Sequence, residues 1–203
     1  VSDLIAGDPP DRMPTLPEDS LTDDQRAALE DIRSGPRGNA VGPFVPLLRS
    51  PQLMTRLQKV GEHLRFSSRL DRRLFEMTIL LVARCWDQQF EWTFHHPLAL
   101  EAGLTPEVAQ AIAQDRRPSG LAEDEGVLWD LLDALQRHHD VPDELYERAV
   151  RTLGEEGVVE VVGTAGYYTT LAMVMTTART AAPASPRMPD RTALAGATQE
   201  EGR

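Results

Sequence analysis

Glu76-Met-Thr-Ile-Leu-Leu-Val-Ala-Arg-Cys-Trp-Asp-Gln-Gln-Phe-Glu91-Trp-Thr-Phe-His95-His96 sets the carboxylates of Glu76 and Glu91 and the imidazole of His95 into a largely apolar, helix-patterned run. Glu91 and His95 are four apart, so on a helix they stack on one face. Gln88, three before Glu91, joins that face, and Glu76 stands one segment earlier. Polar groups embedded in apolar surroundings cost free energy unless they are paired. Two acids beside a histidine are also the raw material of proton transfer.

Outward from this stretch, the pattern is helical in both directions. Thr22-Asp-Asp-Gln25 reads as a capping box that opens a helix ending near Ser34, before Gly35-Pro36. Ser50-Pro51 begins a second, with Leu53, Leu57, Val60 and Leu64 at helical spacing. Asp71 caps the helix that carries Glu76, and Trp86 to Glu101 is expected as the next, closed by Gly103. Further helices are expected over 106–114, 123–138 and 142–153. A long final helix should run from Glu155 to about Thr180, where the pairs Val158-Val159 and Val161-Val162 have no partner strand. The expectation is an all-α bundle of seven or eight helices. Residues 1–20, with four prolines, read as an extended arm, 21–182 as one domain, and 183–203 as a disordered tail.

Composition narrows the function classes. The chain has 203 residues and a net charge of −11, which argues against a duplex nucleic-acid partner. Its one cysteine, Cys85, permits no internal disulfide and no cysteine zinc site, and reads as a small buried residue. Neither a leader-like start nor an apolar run of membrane-spanning length is read from the sequence, so a cytoplasmic protein without membrane contact is expected.

The residues Glu76, Ala83-Arg84, Trp86, Glu91-Trp92 and His95, followed by Pro97-Leu-Ala-Leu-Glu-Ala-Gly103, resemble the carboxymuconolactone decarboxylase family. The likeness runs over roughly residues 40–180, through Val141-Pro-Asp-Glu144 and Gly166-Tyr167-Tyr168. It implies an alkylhydroperoxidase D-like helical fold, assembly as a trimer or hexamer, and a place in aromatic catabolism. The peroxidase branch of that fold carries a CxxC pair; here Gln88 and Glu91 stand where the two cysteines would be. Thiol–disulfide exchange needs an attacking and a resolving thiol, so the decarboxylase branch is the nearer likeness.

That likeness implies a cofactor-free lyase, or related proton-transfer enzyme, acting on a small carboxylated lactone or keto acid. In this reading His95 donates the proton, Glu91 orients the imidazole, and Glu76 is the second relay carboxylate. Arg84, Arg72 or Arg73 would hold a substrate carboxylate, with Gln88, Trp92 and His96 nearby. No metal and no cofactor are expected: the chain has no HExxH or two-histidine set, although Glu76, Glu91 and His95 offer an O,O,N donor set. Two rival readings are a thiol-independent oxidoreductase of the alkylhydroperoxidase-like group and a non-catalytic helical interaction protein. An isolated Glu–His pair on a helix is often only a surface contact, but Phe90, Trp92 and Phe94 around this one indicate an embedded helix.

Overall fold

In a computed structural model, residues 10–191 are described, and they form eight α-helices with no strand among them. Helix α1 (Asp23–Ser34) opens on the expected capping box: Thr22 Oγ1 accepts from Gln25 N–H, and Gln25 Oε1 accepts from Thr22 N–H. A four-residue turn of helix, α2 (Phe44–Leu47), precedes α3 (Pro51–Phe66), whose first residue is the expected proline. Helix α4 (Arg72–Cys85) is capped by Asp71, which accepts from the backbone N–H groups of Arg73 and Leu74.

Helix α4 is the centre of the molecule. Nearly every residue from Leu74 to Arg84 is buried, as expected of a helix enclosed on all sides. It packs against α5 (Gln89–Glu101), α6 (Pro106–Ala113), α7 (Glu123–Asp133) and α8 (Asp143–Ala178). Glu76 and Thr78 therefore sit at 0% exposure among Phe75, Met77, Ile79 and Leu80.

Two boundaries differ from the sequence expectation, and one agrees with it. The helix foreseen from Trp86 begins only at Gln89, because Asp87 takes a left-handed conformation (φ 51°) and Gln88 becomes the N-cap, its side chain accepting from Phe90 N–H. The apolar pattern runs through this elbow, so periodicity could not show it. The helix foreseen over 123–138 is α7 followed by a wider π-turn, Ala134–His138. The last two expected helices are the two parts of α8, which meet at a non-helical kink at Gly154 (φ 73°, ψ 163°), where the sequence places a break.

Helix α8 also corrects the expectation that no segment suffices to cross a membrane: by length and composition it does. Its Val161, Ala165, Tyr168, Leu171, Ala172 and Met175 are buried in the helical core. Leu171 and Met175 on this helix are thus internal, whereas Met173 is 49% exposed.

The segment at the C-terminal end of α8 is a docked strap as far as it is described. Gln89 brackets Met188, accepting from its N–H and donating to its carbonyl at 3.0 Å each. Thr93 donates to Pro186 O, Arg84 donates to Pro189 O, and Met188 is 3% exposed. Arg191 then pairs with Asp87 and Asp115. Residues 183–191 are therefore not the disordered tail foreseen; these contacts combine backbone groups with distant side chains, which composition does not reveal. Residues 192–203 of that tail lie outside the described residues, as do 1–9 of the arm. Residues 10–20 run along the end of α8, with Arg12 N–H donating to Ala178 O at 2.7 Å.

Candidate active site

His95 sits between two carboxylates. From α4, Glu76 Oε2 stands 2.7 Å from its Nδ1, so the ring carries hydrogen at Nδ1 and donates it to Glu76. From its own helix, Glu91 Oε2 lies 3.4 Å from Nε2. All three side chains are at most 3% exposed. Tyr168, from α8, meets the imidazole edge-on at 5.2 Å between centroids and fixes the plane of the ring.

Arg72, one helical turn before Glu76, places its guanidinium 2.5 Å from Glu76 Oε1. This is an ion pair without hydrogen-bond alignment, and Oε1 has no hydrogen-bond partner. Glu91 Oε1 is likewise buried and without a partner.

These surroundings shift Glu91 and His95 in opposite directions. Burial raises Glu91 from an ordinary 4.5 to about 8; Arg37 and Arg65 pull the other way, while Glu76 adds to the rise. Glu91 is thus a neutral acid at pH 7. Burial lowers His95 below its ordinary value, against the Glu76 carboxylate, which favours the imidazolium. Burial likewise raises Tyr167 to about 12 and lifts Tyr168 well above the usual phenol range. The result is a neutral imidazole with a carboxylate on one nitrogen and a protonated acid on the other.

Glu91 and His95 open onto a small pocket of about 40 Å³, lined also by Arg37, Arg65, Phe90, Phe94 and Tyr168. Larger hollows lie elsewhere, two of them at the ends of α4, α5 and α8. One of about 280 Å³ is bounded by Arg84, Cys85, Arg137 and Arg191; one of about 550 Å³ lies between the arm and the ends of α5 and α8. Neither is lined by Glu91 or His95, so size is a poorer guide here than the position of the titratable groups.

Of the residues picked out from sequence, Glu76, Glu91 and His95 converge, and Arg72 joins them through Glu76. The others do not line this pocket. Gln88 caps α5 and donates to Thr176 Oγ1. Arg84 is buried against Ala113 O, Pro189 O and Asp87. Arg73 is held by Asp124 and Glu125. Trp92 is a core side chain against which His96 packs at 5.4 Å. Cys85, expected to be buried, is exposed. Among the described residues no three His, Cys, Asp or Glu side chains are placed to hold a metal. The physical reason is that the two carboxylates face opposite nitrogens of one ring, so the donors do not converge on a point.

Sequence reasoning missed Arg37 and Arg65. Arg37 reads as a loop residue after Gly35-Pro36, and Arg65 as an ordinary cation in the last turn of α3. Only Gly61 offers a retrospective signal: a Cβ there would collide with the Tyr167 hydroxyl and the Arg37 guanidinium.

The fold and site together define an all-α protein with a buried Glu–His–Glu constellation. Residues 51–128 match the Carboxymuconolactone decarboxylase family, bearing out over that segment the resemblance read from the sequence. Two solved structures share the fold. One is the alkylhydroperoxidase AhpD core of an uncharacterized peroxidase-related protein from Ralstonia eutropha JMP134, at 16% identity and TM-score 0.69, covering 87% of this chain and 94% of that one. The other is a protein of unknown function from Agrobacterium tumefaciens, described as an antioxidant defence protein of the AhpD type. It has 18% identity and TM-score 0.61, covering 68% of this chain and 96% of that one. The chain thus has the AhpD-like helical fold. No curated protein matches it.

Proposed function

We propose that this chain is a cofactor-free proton-transfer enzyme, a lyase similar to carboxymuconolactone decarboxylase, acting on a small carboxylated lactone or keto acid. The observation that carries this reading is the buried Glu76–His95–Glu91 chain, in which burial raises Glu91 and lowers His95. The geometry favours Glu91 rather than His95 as the proton donor. Glu91 faces the pocket as a neutral acid, whereas His95 is depressed and holds its hydrogen toward Glu76.

In the proposed reaction, the bond between a substrate carbon and its carboxylate breaks, and carbon dioxide leaves. The electron pair moves into a conjugated carbonyl as an enolate, whose negative oxygen is stabilised by the positive field of Arg37 and Arg65. Glu91 protonates carbon, returning the electrons to a C–H bond, and becomes a carboxylate. It regains a proton from solvent, with the His95 ring as its neighbour. The balance is one proton consumed and one carbon dioxide released. A thiol peroxidase route has no support at positions 88 and 91, which are Gln and Glu.

The test is loss of ultraviolet absorbance from candidate lactone acids, with the wild-type chain and with Glu91→Gln and His95→Ala. Loss of turnover in both variants is expected; equal rates in all three would overturn the reading. We further propose a homo-oligomer. Val159, Val162 and Met173 are 69%, 42% and 49% exposed on α8, and Val162 and Met173 are eleven residues apart, on one face after three turns. Light scattering showing only monomer would remove this assignment.

A further inference from the structure

We propose that Arg37 and Arg65 form a carboxylate seat in the pocket beside Glu91, and that this pair decides which ligands the site accepts. The inference rests on the reading of the pocket as a site for small acids, and it adds the residues that recognise the charge.

Four observations carry it. Both guanidiniums line the pocket, and neither has an ion-pair partner among the described residues, although Arg72, Arg73 and Arg84 nearby are all paired. Both are held against aromatic rings: Arg37 Cζ lies 4.9 Å from the Phe44 ring centroid, and Arg65 Cζ lies 5.4 Å from that of Phe94 and 5.5 Å from that of Phe66. A guanidinium held over a ring is fixed in place while N–H donors remain for a carboxylate.

Two buried polar atoms on residues of this pocket also lack a partner, Arg37 Nε and Glu91 Oε1. A buried donor without an acceptor costs on the order of 1–3 kcal/mol, and an anionic oxygen at Arg37 Nε would remove that cost. Finally, the space of about 40 Å³ suits a group of a few heavy atoms, since one water centre needs roughly 10–15 Å³. A carboxylate is such a group.

The arrangement is built, not incidental. Tyr167 Oη accepts from Arg37 Nη2 at 3.4 Å, and Gly61 supplies the room in which the two meet. Arg37 lies ahead of the family-matched segment 51–128, so the seat joins a residue from outside that segment to residues within it. A carboxylate held here is an anchor. A departing carboxylate clamped the same way would be stabilised in the ground state, which slows its loss.

The experiment is calorimetric titration of the full chain with acetate and, as a neutral isostere, acetamide. Saturable acetate binding without acetamide binding is expected, weakened about tenfold or more by Arg37→Gln and by Arg65→Gln. Arg56→Gln, whose guanidinium is exposed and bonded to Gln52, should bind as the wild type does. Circular dichroism checks that each variant folds, and Arg37→Lys, which keeps the charge and loses the fork, should be intermediate. Equal binding of acetate and acetamide, or acetate binding unchanged in the double glutamine variant, would overturn the seat. Selective, arginine-dependent acetate binding in a chain that turns over no lactone acid would leave the seat standing and sink the proposed reaction. Turnover of a lactone acid in a chain whose acetate binding depends on neither arginine would do the reverse.

Discussion

Glu76 and His95 lie nineteen residues apart in the sequence, yet Oε2 of the first and Nδ1 of the second are 2.7 Å apart at the centre of the bundle. The elbow at Asp87–Gln88 folds α5 back along α4 and brings the two side chains together. This contact fixes the hydrogen on Nδ1 and turns Nε2 toward Glu91.

Removal of the acid should be felt in chemistry more than in folding. Glu91→Gln keeps the shape and loses the transferable proton, so turnover of a lactone acid should fall by about 10²–10⁴. Glu76→Gln keeps an acceptor for Nδ1–H and should lose less. Steady-state rates on one substrate check the order. A larger loss in Glu76→Gln than in Glu91→Gln would contradict the assignment of Glu91 as donor.

Stability should carry the signature of Glu91. Its folded value, about 8, lies above the ordinary 4.5, so between these values the unfolded chain releases a proton that the folded chain keeps. Stability then falls as pH rises, by about 1.4 kcal/mol per pH unit for this group alone. His95 and His96 are both lowered from 6.5, so they oppose this slope below pH 6.5, where only the unfolded chain becomes protonated. The Glu91 slope should therefore show most plainly between about 6.5 and 8. Denaturant titrations should find it in the wild type and lose it in Glu91→Gln; an identical slope in both would place the titration elsewhere.

Gly61→Ala should destabilise the protein by about 1–3 kcal/mol, the usual cost of overpacking. The new methyl group would meet Tyr167 Oη and the Arg37 guanidinium. Because Arg37 must then move, acetate binding should weaken as well. A variant as stable as wild type with intact acetate binding would show that the two side chains are not held as described.

The strap should be fastened by its apolar anchor rather than by its charges. Met188→Ala removes a side chain that is 3% exposed and should cost about 2–5 kcal/mol. Arg191→Ala breaks exposed ion pairs to Asp87 and Asp115 and should cost less than about 1 kcal/mol. Thermal unfolding of the two variants gives the comparison.

The sequence by itself determined the helical class, most helix ends, and the members of the Glu76–His95–Glu91 cluster. Thr22–Gln25, Asp71 and Gly154 act through bonds or dihedrals within a few residues, and the spacing of Glu91 and His95 is a property of any α-helix. Only the tertiary structure decided which carboxylate meets which nitrogen, which arginines face the pocket, and where residues 183–191 dock. Arg72, Arg73 and Arg84 stood out in the chain beside the acids and the histidine, whereas Arg37 and Arg65 did not. Their partners Glu76, Asp124, Glu125 and Asp87 neutralise the first three, and most of those partners come from other turns or other helices. Local preference fixes what a residue can do within its own element. Burial and partner choice depend on elements far away in the chain, and these set the charge at which each group works.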